Sequence, residues 1–253
     1  MAAQQIFERV EKKYIITSAQ CSEILKRIEG KMAQDKYGKL TTICNIYYDT
    51  PTHRLIRDSI EKPVYKEKLR LRSYGTPKAG SKVFVELKKK YKGVVYKRRV
   101  DMSLEQSKDF LENGELPGLN PQIEREIAYF LKFYEGIAPA MYLSYEREAY
   151  AGIKDPELRI TFDKNIIFRE KELFLENGSY GRKLLPEDMM IMEIKIPGSM
   201  PLWLSSLLCS LNIYPGSFSK YGTAYQTVLR EKLAGEEQQD DGEDEKGKVN
   251  YCA

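Results

Sequence analysis

The stretch KEKLRLRSYG, Lys66 to Gly75, places Lys66, Lys68, Arg70 and Arg72 at every second position. A helix turns about 200° over two residues and would scatter these cations, whereas a β-strand sets i, i+2 and i+4 on one face. The spacing predicts a strand, with Leu69 and Leu71 on its opposite, apolar face.

The same alternation recurs along the chain. FERVEKKYIIT separates Arg9, Glu11 and Lys13 from Val10, Tyr14 and Ile16, and KVFVELKKK separates Glu86, Lys88 and Lys90 from Val83, Val85 and Leu87. GVVYKRRVD, ELRITFD and IMEIKIP behave alike, and MYLSYEREAY alternates less cleanly. With TICNIYYDT these make about eight strands, whose short connections favour antiparallel pairing. Helix starts lie between them: Thr17 or Ser18 before AQCSEILKRIEGKM, a Ser103/Gln106 capping box before KDFLENG, and a first-turn proline in PQIEREIAYFLKFYEG. MPLWLSSLLCSLNI and GTAYQTVLREKL are apolar enough to lie on a sheet. The class expected is α+β, an antiparallel sheet or barrel with peripheral helices.

Composition agrees: 253 residues, 42% hydrophobic and 31% charged, suffice for a sizeable core. No run approaches the roughly 18 apolar residues of a membrane span. The start, MAAQQIFERVEKKYII, lacks the apolar core and cleavage site of a signal peptide, so a cytoplasmic location is expected. Cys21, Cys44, Cys209 and Cys252 form no CxxC pair and read as thiols rather than zinc ligands or disulfides. Residues 1–233 form the body. Residues 234–253 carry seven acidic residues against two lysines and are expected to be a disordered tail, so the body is more basic than the net +4.

One face per strand collects Arg9, Lys13, Lys68, Arg70, Arg72, Lys88, Lys90, Lys97, Arg99, Arg147, Arg159 and Lys195, with Glu11, Glu86, Asp101, Asp163 and Glu193 interspersed. A single such face would be ordinary solvated surface. Repetition changes the reading, because like charges about 7 Å apart repel by roughly 2 kcal/mol at an effective dielectric of 20. If helices cover the apolar faces from outside, the charged faces converge into a wet tunnel that needs acids, water or an anionic ligand. Nucleic acid suits it poorly, since Tyr and Phe lie mainly on the apolar parity. A chain of phosphates fits, with Arg gripping oxygens bidentately and Lys supplying point charge. GTPKAGSK only approximates a P-loop, and the lone histidine, His53, follows a turn and is a poor general base.

In order, RVEKKY, LRLRSY, VELK, KRR, YEREAY, LRITFD, MEIKI and FSKYGTAY resemble the polyphosphate polymerase (VTC) domain of the CYTH-like triphosphate tunnel metalloenzyme superfamily. The resemblance implies an eight-stranded antiparallel tunnel barrel flanked by helices, with ATP and inorganic polyphosphate as partners and Mn2+ or Mg2+ as cofactor. Position by position it implies catalytic roles for Arg70, Arg72, Lys88, Lys97, Arg147, Arg159 and Lys220. Substrate binding would fall to Lys13, Lys68, Lys90, Arg99, Lys195 and Ser219, with Tyr145 at the mouth near the nucleotide. Glu193 would bind the metal, with Glu11 and Glu86 as further candidates or as partners of cations, and Lys66 would be solvated rim. CYTH hydrolases begin with ExExK where this strand has Arg9, Glu11 and Lys13, which tilts the expectation from hydrolysis toward phosphate-chain transfer. The alternatives are a tripolyphosphatase or nucleoside triphosphatase of the same fold, and a polyphosphate-binding module without turnover.

Overall fold

The computed structural model describes residues 6–7, 10–35, 40–92 and 94–244, with backbone alone for 6–7 and 235–244. The expectations attached to Arg9 and to the last nine residues of the tail lie outside the described residues. Eight long strands carry the sheet: β2 (Val10–Thr17), β4 (Thr41–Asp49), β5 (Tyr65–Tyr74), β6 (Lys82–Tyr91), β7 (Val94–Ser103), β8 (Ala138–Gly152), β9 (Arg159–Arg169) and β11 (Met189–Ile196). Three short strands join them: β1 (Ile6–Phe7), β3 (Met32–Gln34) and β10 (Arg182–Lys183). The order is β1-β7-β6-β5-β4-β8-β9-β11-β2, with β3 on β8 and β10 on β9, and every pairing is antiparallel. The two ends of this path, β1 and β2, are joined in the chain by residues 8 and 9, so one N-terminal segment reaches both edges of a strongly curved sheet. No hydrogen-bonded ladder links β7 to β2 among the described residues.

Alternation decides what lies inside and outside. Leu69 and Leu71 with Val83, Val85 and Leu87 face outward under α3 (Leu104–Asn113) and α4 (Pro121–Phe133), which contribute Phe110, Leu111, Ile127 and Phe130. Ile160, Phe162, Met192 and Ile194 face outward under α1 (Ser18–Ile28) and α5 (Leu202–Ser210). Burying each such side chain contributes about 1.5–3 kcal/mol. Thr17 and Gln20 form the capping box that starts α1, and Ser103 and Gln106 the one that starts α3. Past α1, Gly30 turns the chain at φ 73° and Met32 opens β3 rather than prolonging the helix.

Two helices depart from the sequence expectation. α2 (Arg54–Ile60) takes no cap from His53 at its N-cap position: Thr50 Oγ1 accepts from the backbone N–H of Arg54 at 2.9 Å, and the Asp49 carboxylate, at the end of β4, accepts from those of Leu55 and Ile56 at 2.9 and 3.0 Å. α6 (Lys220–Asp244) covers the inner face of the sheet, not the outer. Tyr221, Ala224 and Val228 pack with Tyr47, Leu143, Ile166, Phe168 and Ile191, residues of the same parity as the charged lining. The Tyr221 hydroxyl donates to Asp49 at 2.9 Å, and its ring stacks on Tyr47 at 4.6 Å, so one acid ties both helices to β4. No described helix is long and apolar enough to cross a membrane.

The loop after β9 is held by one side chain. The buried Arg169 guanidinium donates to the carbonyls of Glu172, Phe174, Gly178 and Tyr180 at 2.9–3.1 Å and lies between the rings of Tyr142 and Tyr180. Gly181 then passes so close to Phe168 that a Cβ would stand 2.4 Å from its carbonyl oxygen. Arg169→Ala leaves these carbonyls unpaired and is expected to cost about 2–3 kcal/mol in urea unfolding. A loss under about 0.5 kcal/mol, the usual range for surface substitutions, would show that the loop does not depend on it.

Candidate functional site

The inward faces build two acidic centres inside a cationic lining. The first is Glu86 on β6, whose neighbours in register are Arg70 on β5 and Arg99 on β7. Its carboxylate is 1% exposed and meets Arg70 at 2.6 Å, Lys97 at 2.7 Å, Arg99 at 2.9 Å and Arg72 at 3.8 Å. Oε1 makes its contacts to Lys97 and Arg99 as ion pairs without well-aligned hydrogen bonds. Burial works against the charge; Arg70, Arg72, Lys97 and Arg99 outweigh it and hold the carboxyl far below the usual range. Arg72 is itself buried, donating to Asn45 Oδ1 at 2.9 Å and to the Tyr145 hydroxyl at 3.2 Å.

The second centre joins Glu193 on β11, Asp163 on β9 and Glu11 on β2. Lys220, Lys13, Lys195 and Arg147 approach Glu193 at 3.3, 3.6, 3.6 and 3.7 Å. Asp163, fully buried, takes both Nε and Nη2 of Arg147 at 2.6 Å and Lys220 at 2.6 Å. Lys13 and Lys195 also reach Glu11, at 3.5 and 3.9 Å. Burial opposes ionisation of Glu193, but Lys220, Lys13, Lys195 and Arg147 keep it well below its ordinary value. Lys220 is itself raised: burial lowers it, and Asp163 and Glu193 more than compensate.

A third group of cations is poor in acids. Lys68 donates to Ser219 Oγ at 3.1 Å, and burial pushes its ammonium down to about 8. Lys97, which belongs to the Glu86 centre, also falls to about 8, burial outweighing its contact with that carboxylate. Lys88, in register between Lys68 on β5 and Lys97 on β7, is lowered too, with burial as the main cause.

Most residues expected at the site converge on this lining, and several stand elsewhere or are already engaged. Arg159 pairs with Asp35 at the rim, and Lys90 is exposed at the end of β6. Tyr145 lies not at the mouth but within the wall, 4% exposed, with Arg147 and Lys220 over its ring at 5.1 and 4.7 Å. Lys66 is more than rim, since it donates to the Ser59 carbonyl near the end of α2 at 3.0 Å. Sequence reasoning missed Asp163, Asn45 and Tyr47 as parts of the site. Asp163 was on the charged parity, but only the register of β8 with β9, Arg147 opposite Asp163, makes it the partner of Arg147.

For a divalent metal the donor set is narrow. Among the described residues no three His, Cys, Asp or Glu side chains stand together as a cage, and cations engage both Glu86 oxygens. Glu193 and Glu11 flank the same two lysines, and cations engage both oxygens of each, so a metal held there would have to displace these cations and complete its shell with phosphate oxygens, the usual habit of Mg2+ in phosphate sites.

Comparison with known proteins agrees with this architecture. A candidate adenylate cyclase from Bacillus halodurans superposes with a TM-score of 0.51 at 15% identity, over 85% of this chain and 96% of that one. A candidate adenylate cyclase from Vibrio parahaemolyticus gives 0.50 at 14% identity, over 88% and 99%. A candidate adenylyl cyclase from Hippeastrum, described as having a dominant triphosphatase activity, gives 0.50 at 14%, over 87% and 96%. At these identities the likeness is one of fold, and no curated protein matches the sequence. The profile of the VTC domain matches residues 8–229, nearly the whole body of the curved sheet and its helices, and the chain belongs to the VTC domain family.

Proposed function

We propose that this chain is a metal-dependent polyphosphate polymerase that transfers the γ-phosphoryl group of ATP to the end of a polyphosphate chain and releases ADP. Family membership supports chemistry on triphosphate or polyphosphate. The observation that carries the finer reading is the lining itself: lysines and arginines engage every acid in it, and Lys68 and Lys88 have no carboxylate at ion-pair distance among the described residues. In the transfer a terminal oxygen of polyphosphate bonds to the γ-phosphorus as the bond from that phosphorus to the β–γ bridging oxygen breaks, and ADP leaves with the electron pair. The attacking oxygen is already anionic and needs no strong base, which suits a site whose acids are all held ionised by cations. Glu193 and Glu11 would hold the metal, which when bound neutralises charge on the phosphate oxygens. Arg70 and Lys97 around Glu86, and Lys13, Lys195 and Lys220 around Glu193, orient the chain by contacts exchanged from these acids to phosphate.

Hydrolysis is the second reading, favoured by the activity described for the Hippeastrum protein. Incubation with ATP and Mn2+ separates the possibilities: long chains with ADP are expected. Orthophosphate alone would replace transfer with hydrolysis, and polyphosphate binding without either product would make the chain a binding module. The lysines add a pH signature. Lys68 and Lys97 lose charge in the folded protein near pH 8, against 10.5 ordinarily. Between these limits the unfolded chain binds more protons, so stability rises with pH while affinity for the anion falls. Tripolyphosphate affinity is therefore expected to fall several-fold between pH 7 and 9, and a flat profile would remove these lysines from the binding surface.

A further inference from the structure

The inner face contains an aromatic set that a bare phosphate chain would not need. Tyr74 ends β5 one inward-facing position beyond Arg72, about 7 Å along the strand. Phe84 on β6 is the register partner of Arg72. The two rings meet edge to face at 5.5 Å. The Arg99 guanidinium lies 3.8 Å from the centroid of Phe84, donates to the Tyr74 hydroxyl at 3.1 Å and is anchored to Glu86 at 2.9 Å. Tyr47, Tyr145 and Phe168 share the inner face and are at most 8% exposed, whereas Tyr74 is 51% exposed. An aromatic ring left half open beside a guanidinium held flat by two partners is a surface for a planar ligand, because bases stack on both aromatic and arginine planes.

We propose that Tyr74, with Arg99 layered on Phe84, is a platform that stacks the base of a nucleoside triphosphate whose phosphates run inward past Arg72 toward Glu86. This rests on the reading of the bore as a phosphate site and adds to it the recognition of the nucleoside. The opposite ends of β5 and β6, where Lys68 faces Lys88 and Lys66 faces Lys90, carry the lysines and are left for the acceptor chain.

The test is calorimetric binding of ATP and of inorganic tripolyphosphate to the full chain, with a chelator present to prevent turnover. Tyr74→Ala is expected to weaken ATP about ten-fold more than tripolyphosphate. Tyr74→Phe, which keeps the ring and loses only the hydroxyl, should retain most of the difference between the two ligands. Equal effects of Tyr74→Ala on both ligands, or none on either, would overturn the platform and leave the phosphate site standing. Failure of the unaltered protein to bind either ligand, both with the chelator and with Mg2+ restored, would overturn both.

Discussion

Glu193→Gln is expected to lower ATP turnover by at least about 100-fold while leaving KM unchanged or reduced. The substitution keeps the shape of the side chain and removes its charge. Lys13, Lys195, Lys220 and Arg147, all within 3.7 Å of that carboxylate, would then share only Asp163 and Glu11. A phosphate chain meets a more positive lining and binds at least as well. Of the two carboxylates proposed to hold the metal, one becomes a neutral amide and a weaker donor, and the alignment of the reacting phosphates is lost with it. A steady-state measurement across Mn2+ concentrations reads both quantities. Full retention of kcat would end the assignment of Glu193 as a metal ligand, and a large rise in KM would mean that it acts in binding instead.

Glu86→Ala should act on the fold. Four cations converge on one buried carboxylate, and deleting the shared partner leaves them facing one another in a poorly solvated place. Breaking a buried ion pair costs about 3–5 kcal/mol, so thermal unfolding is expected on the order of 10 °C lower. The same deletion frees the cations for an external anion. Added tripolyphosphate should accordingly raise the melting temperature of the variant more than that of the unaltered protein. A variant as stable as the parent would show that water, not Glu86, balances these charges.

The strand reading of Lys66 to Gly75 carried far because β-parity is local: each alternating segment declared which residues share a face, and the caps at Thr17 and Ser103 are likewise local signals. What escaped depends on distant pairing. α2 escaped because its cap, Asp49, belongs to the preceding strand. The course of α6 escaped because Tyr221, Ala224 and Val228 form an apolar stripe that suits either face of a sheet. Register, not parity, assigned Asp163 to Arg147 and drew Arg159 off to Asp35. Tyr145 was expected at the rim and is buried, and Tyr74, read as an ordinary member of its strand, occupies that rim.

The pairing of β2 with β11 bears on how the molecule comes to be made. Lys13 lies opposite Glu193, about 180 residues later in the chain. At a synthesis rate of about 5–20 residues per second, the first long strand emerges some ten seconds or more before its partner exists. During that interval β2 is an unpaired edge, open to wrong partners, and the charges of Glu11, Lys12 and Lys13 are the feature that discourages them. Lys13, proposed as a contact for phosphate, would thus serve the nascent chain first, as part of its guard against aggregation.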